Sequence, residues 1–223
     1  MYLFIISVIV TFFAVISQAN ALEYTLSHQF NSKQTEEIQV VAVKSLETFS
    51  KLVTKDNYKQ MGFESPEEVR MAKLGQPLRD FMVRLDQLKE YQPGSDPNAL
   101  LSGGNQAMYP LFIKKKVRSS ITIGERSGKW KAVSFGGANF IKLLNNILTK
   151  SVEATGLSLS SYFIVRVPAL NLSFLGYRID NKLMLVPLLD EPQFNFKAGV
   201  SMPADTVFKT ILPAAREHNG LPG

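Results

Sequence analysis

The stretch YPLFIKKKVRSSITIGERSGKWKAVSFGG, residues 109–137, decides the fold. Tyr109–Ile113, Val117–Ile123 and Lys129–Phe135 are short runs rich in β-branched and aromatic residues. Such runs between turn residues read as strands. Lys114-Lys115-Lys116 and Arg126-Ser127-Gly128 are the turns between them. After Gly136-Gly137 the period changes. Phe140, Ile141, Leu144, Ile147 and Leu148 follow helical spacing, so a helix is predicted from Ala138 to about Thr155, stopped by Gly156.

The order repeats downstream. Tyr162–Val167, Leu170–Tyr177 and Lys182–Leu189 read as strands, with Asp180-Asn181 as a tight turn. An extended piece holds Phe194 and Phe196. A helix then opens near Pro203, buries Val207, Phe208, Ile211 and Leu212, kinks at Pro213 and closes at Gly220. Trp130 and Met184 hold comparable places in the two blocks, a hint of internal duplication. The expected class is α+β: an antiparallel sheet of about six to seven strands in two strand-strand-strand-helix blocks, preceded by two helices.

Those two helices are read from residues upstream. Ile38, Val41, Ala42, Leu46, Phe49, Leu52 and Val53 form one helical face, so a helix is expected from Ser32 to Val53. Ser65-Pro66-Glu67-Glu68 has the form of a capping box with Pro at the first helical position, and Gly75 is a natural stop. Phe81, Val83 and Leu85 then alternate with Met82, Arg84 and Asp86, which predicts one strand over residues 78–91. Gln92–Gln106 holds Pro-Gly-Ser-Asp-Pro and Ser-Gly-Gly-Asn and reads as a long surface loop with one helical turn near Leu100.

Residues 1–21, MYLFIISVIVTFFAVISQANA, are uncharged and apolar from Tyr2 to Ile16 and end on Ala19-Asn20-Ala21. This is the pattern of a signal peptide cut after Ala21, although no Lys or Arg precedes the apolar run. The competing reading is a retained anchor, for which the run is short of the ~20 residues a span needs. The expected organisation is a leader over 1–21 and one mature domain over 22–223. Its sub-blocks are 22–108, 109–156 and 157–223. The chain has no cysteine, which excludes a disulfide framework, thiol catalysis, thiolate metal ligation and an acylated anchor. Export without cysteine suits a bacterial periplasm. The sequon Asn171-Leu172-Ser173 lies inside a strand-like run and carries no weight.

The net charge of +6 sits in one segment. Lys114, Lys115, Lys116, Arg118, Arg126, Lys129 and Lys131 face only Glu125, and the rest of the chain balances. In the predicted hairpin Lys129 and Lys131 share a strand face, which Val133 and Phe135 continue, while Trp130 and Ala132 point inward. Such a cluster suits anionic lipid or an acidic protein. The same lysines also protect an edge strand from aggregation. No row of stacking aromatics accompanies them, so nucleic acid is not an expected partner.

Other motifs carry less. Gly124–Trp130 has a phosphate-loop flavour, but its glycines are one residue too close and Trp130 stands where a magnesium-binding hydroxyl is needed. Gly136-Gly137 before a helix is a candidate anion site, against the plain reading of a turn needing positive φ. His28 and His218 are too few and too far apart in sequence for a zinc motif, and no nucleophile elbow is present. Asp80 and Asp86, on one predicted strand, would stand about 20 Å apart, too far for a glycosidase pair. Asp190-Glu191 reads as a solvated loop. No catalytic residue, metal or cofactor is assigned. Leu170–Leu175 and Leu183–Val186 are apolar on both strand faces and need cover from helices, a ligand or a subunit.

The expected function is a non-enzymatic binding or interaction module of the periplasm. Its partner would be an envelope protein or an apolar small molecule, with the basic hairpin as docking surface and an anionic membrane as a further candidate. The competing classes are an envelope hydrolase using the 92–106 loop and the Gly136-Gly137 turn, and a structural subunit of an envelope assembly. Oligomeric state is not readable from the sequence.

Overall fold

The computed structural model describes residues 30–220; the expected leader over 1–21, its expected cut after Ala21, and His28 lie outside them. Of the unit Met1–Glu36 the described part is the opening of a helix, α1 (Ser32–Leu52). Asn31 and Gln34 cap it reciprocally. Asn31 Oδ1 accepts the Gln34 N–H at 2.8 Å, and Gln34 Oε1 accepts the Asn31 N–H at 3.1 Å.

The unit Glu37–Gly223 holds a mostly antiparallel open sheet of nine described strands. They are β1 (Lys73–Leu74), β2 (Leu78–Val83), β3 (Leu101–Ile113), β4 (Lys116–Arg126) and β5 (Lys129–Gly136), then β6 (Phe163–Val167), β7 (Leu172–Ile179), β8 (Lys182–Pro187) and β9 (Met202–Pro203). The order across the sheet is β5-β4-β3-β2-β6-β7-β8-β9, with β1 paired to the far end of β3. Among the described strands only β2 and β6 pair in parallel. Two meanders therefore run outward from a central parallel pair. Both predicted blocks belong to one sheet, joined through β2.

Each meander ends in a helix, and the two helices cover opposite faces. After β5 comes α3 (Ala138–Thr155), preceded in the chain by the short α2 (Leu85–Lys89). Ile141, Leu144, Ile147 and Leu148 of α3 pack on Leu78, Met108, Ile164, Leu175 and Val186. After β9 comes α4 (Ala204–Glu217), whose Val207, Phe208, Ile211 and Leu212 pack on Phe81, Val165, Phe174 and Leu185. Alternation along β2 and β6 places these two sets on opposite sides. The apolar positions on both faces of β6–β8 thus have helices on both sides. On the α4 face of the other meander, Phe49 of α1 stacks on Phe135 at 5.8 Å and tilts against Phe63.

Several expectations are corrected. The strand count is nine among the described residues, above the expected six to seven, because the short β1 and β9 add to the strands read from sequence. Pro66–Met71 forms a 3-10 turn in place of an α-helix. Ser65 makes no side-chain cap there, and Glu68 accepts the N–H of Glu64 at 2.6 Å while binding Arg118. The strand predicted over 78–91 stops at Val83, and α2 follows. The Leu85–Leu88 spacing is helical as well as compatible with alternation, and Leu88 is fully buried in the α4 core. The long loop is shorter than expected, because Leu101–Gln106 belongs to β3. Trp130 lies in β5 and Met184 in β8, so in the two four-strand meanders they do not correspond.

Candidate functional site

Three sheet regions are closed by helices. The fourth, the α3-side face over β2–β5 away from α3, is open. Two sequence features open it. The first is a bulge. Arg79 of β2 pairs with Ala107 and Phe81 with Gly103, so Gly104, Asn105 and Gln106 stand opposite Asp80 alone. Gly104 is required here. Its φ is +74°, and a Cβ would come 2.6 Å from Phe81 Cε1 and 2.8 Å from Arg79 Nη2. Its carbonyl accepts from Arg79 Nε at 3.1 Å. The Ser-Gly-Gly-Asn signal is therefore a strand irregularity and not a loop.

The second is a bulge at Val133. Thr122 pairs with Ser134 but Ile123 with Ala132. Lys129 and Lys131 share their face with Arg126 and Gly124, and Phe135 is turned to the opposite face, onto Phe49. The expectation that Phe135 continues the lysine face is corrected by this one extra residue. Trp130 and Ala132 lie on the other face, half-buried.

Between the two bulges lies a groove of about 440 Å³, lined by Asp80, Met82, Gly103–Gln106, Met108, Thr122, Arg126, Ser134 and Arg166. A second hollow of about 230 Å³ lies between Phe140 and Leu143 of α3 and residues of β7 and β8, and it shares Arg166. Arg166 is thus the residue common to both.

Arg166 is held on two sides. Its Nε donates to both carboxylate oxygens of Asp80, at 3.0 and 2.9 Å, and its guanidinium lies 4.4 Å from the centre of the Phe140 ring. The Asp80 side chain is only 11% exposed and that of Arg166 31%. Burial pushes the Asp80 carboxyl above its ordinary range, and Arg166 opposes the shift. A carboxyl perturbed by burial beside a specific cation, in a groove, makes the pair a candidate site.

The seven basic residues singled out from sequence do not form one surface. Lys114, Lys115 and Lys116 lie at the β3–β4 turn; Arg126, Lys129 and Lys131 lie at the β4–β5 turn, at the other end of β4. An eleven-residue strand separates them by about 33 Å. Arg118 is engaged in between, 12% exposed, with its Nη2 donating to Glu68 at 3.0 Å and to Glu64. Among the described residues, Lys129 and Lys131 have no ion-pair partner.

Gly136 and Gly137 take φ of +106° and +73°, and Gly137 is the N-cap of α3. The Gly136 carbonyl accepts from the Ser120 hydroxyl at 2.6 Å, and Met61 packs against Gly136. Ser127-Gly128 closes the β4–β5 hairpin with both residues at positive φ, so the sequence Gly124–Trp130 is a hairpin and not a phosphate loop. Asp80 and Asp86 fall on different elements, and Asp86 is bound by Arg84 at 2.8 Å. Asp190 accepts from the Ala198 N–H at 2.8 Å. His218 stands at the end of α4. Among the described residues no cluster of three His, Cys, Asp or Glu side chains could hold a metal ion, and no helix is long and apolar enough to cross a membrane.

No family model, curated protein or solved structure matches the chain. Its site must therefore be read from its own geometry. Sequence reasoning singled out Arg126, Lys129 and Lys131 but missed Asp80 with Arg166 as a pair. Eighty-six positions separate them, and only the parallel β2–β6 contact joins them. The available signal was an Asp on the polar side of one alternating strand and an Arg inside an apolar one.

Proposed function

We propose that this chain is an exported, non-enzymatic binding module that receives its ligand or partner on the open end of the α3-side face. Arg126, Lys129 and Lys131 form its electrostatic docking rim. The observation that carries this reading is the contrast within one sheet. The other face regions are sealed by α1, α3 and α4, whereas the open region carries a groove and an unpaired cationic fringe. A fringe of this kind steers anionic partners and weakens with salt.

The partner class fits an acidic envelope protein or an anionic membrane surface. Lys114–Lys116 form the comparison site, since they lie at the opposite end of β4. The test is binding to phosphatidylglycerol vesicles and to poly-glutamate across a salt series. Three variants are compared: wild type, Arg126→Glu/Lys129→Glu/Lys131→Glu, and Lys114→Glu/Lys115→Glu/Lys116→Glu. Loss in the first triple variant alone supports the rim. Loss in the second alone moves docking to the other turn. Unchanged binding in both removes the docking reading.

A further inference from the structure

The rim does not account for Arg166. A guanidinium presents five N–H donors in a planar fork. Asp80 takes only the Nε–H. Among the described residues the terminal nitrogens Nη1 and Nη2 make no hydrogen bond, while Phe140 and Asp80 fix the plane of the group. An arginine so held has paid its ordering entropy before any ligand arrives, and its two free nitrogens match two oxygens of one planar acid group.

What lies next to that fork restricts the ligand. The 230 Å³ hollow has Phe140, Leu143, Leu188 and Leu189 as its apolar side-chain walls, while Leu172 and Phe174 of its lining turn their side chains into the α4 core. Its polar residues beside Arg166 are Asn171, Ser173 and Glu191. An apolar body fits such walls, and a single negative group fits the fork. Glu191 here and Asp80 in the adjoining groove disfavour a second anionic group. A charge-assisted, bidentate contact with an apolar wall beside it is a common form of small-ligand site.

We infer that the open fork of Arg166 is the recognition point for a monocarboxylate carried on a compact apolar body, with the body in the hollow between α3 and β7–β8. Asp80 is the positioning residue that aims the fork. This deepens the binding-module reading and rests on it for the choice of face. The carboxylate can come from a free acid or from a chain terminus, and both present the same two oxygens.

Calorimetric titration of the purified protein with octanoate and with octanol tests the inference, with N-acetyl-dileucine and its C-terminal amide as a second pair. In at least one pair the acid binds one-to-one, and its neutral analogue binds about ten- to a hundredfold more weakly. Binding of octanoate alone identifies a free acid as the source; binding of the dipeptide acid alone identifies a chain terminus. Arg166→Gln reduces acid binding by a similar factor. Because that change strands Asp80, the neutral double variant Asp80→Asn/Arg166→Gln is measured beside it. Leu189→Glu, on a wall residue that is 57% exposed, leaves the pair intact and also weakens the acid. The rim variant Arg126→Glu/Lys129→Glu/Lys131→Glu keeps acid binding within severalfold even where it loses vesicles, so the two readings fail separately. The inference is overturned if neither acid binds at millimolar concentration. It is also overturned if acid and neutral analogue bind alike, or if both Arg166 variants bind the acid as wild type does.

Discussion

The two meanders differ in what covers them, and the difference follows from their side chains. β6–β8 carry apolar residues on both faces, and α3 and α4 close both. β2–β5 carry apolar residues on the α1 side, while their other face has Leu78 and Met108 under α3 and, beyond it, Asp80, Gln106, Thr122, Arg126, Ser134 and Lys131. A helix laid fully over that second set would strand polar groups away from water. The open face is therefore a consequence of composition, and the groove marks the place where two bulges widen it.

That contrast can be broken most severely from the sealed half. Phe208→Ala removes a fully buried ring that meets Tyr91 edge-on at 5.7 Å. It is expected to lower unfolding free energy by about 3–5 kcal/mol in denaturant titration. Next comes the seam. Gly104→Ala forces a side chain into a left-handed conformation and into Phe81, at a cost of about 2 kcal/mol. Arg166→Met leaves Asp80 without its cation. Because the pair is partly solvated, the loss is about 1–3 kcal/mol, below the figure for a fully buried pair.

The acid limb of stability sharpens the comparison, because two aspartates act with opposite sign. Asp205 of α4 accepts from the Gly94 N–H at 2.8 Å and the Tyr91 hydroxyl at 2.7 Å, and these bonds hold its carboxyl below the ordinary range. Its stabilisation is present above about pH 3.9 and is lost as pH falls through the lowered value. Asp80 is raised by burial. Its folded state retains a proton that the unfolded chain has lost, so stability falls as pH rises from about 3.9 through the raised value. Melting curves across this range should show Asp205→Asn removing the acid-side loss and Asp80→Asn removing the opposing slope. The smallest effect belongs to the rim: Arg126→Ser or Lys131→Ser changes stability by less than about 0.5 kcal/mol, read by the same denaturant titration.

Much of the architecture was legible. α3 begins at Ala138 and ends at Thr155, α4 opens after Pro203, and the hairpin turns fall at Ser127-Gly128 and Asp180-Asn181, because glycine, proline and left-handed asparagine act locally. The site was less legible. The Gly103-Gly104 signal has the same composition in a loop as in a bulge, and only the partner strand β2 distinguishes them. A one-residue bulge at Val133 likewise moves Phe135 across the sheet without a sequence mark. Arg118 was counted as surface charge because its partners, Glu64 and Glu68, lie more than fifty positions upstream or close to it.

The central claim is that Asp80 holds Arg166 in place with its terminal nitrogens free to bind a carboxylate beside the hollow between α3 and β7–β8. Arginine side-chain nitrogen NMR addresses it directly, with the Nε–H signal of Arg166 assigned by its loss in Arg166→Gln. The account predicts a slowly exchanging Nε–H that broadens in Asp80→Ala and shifts on adding a carboxylate, octanoate or N-acetyl-dileucine, but not on adding octanol. A rapidly exchanging Nε–H, indifferent to Asp80 and to all three probes, would contradict it.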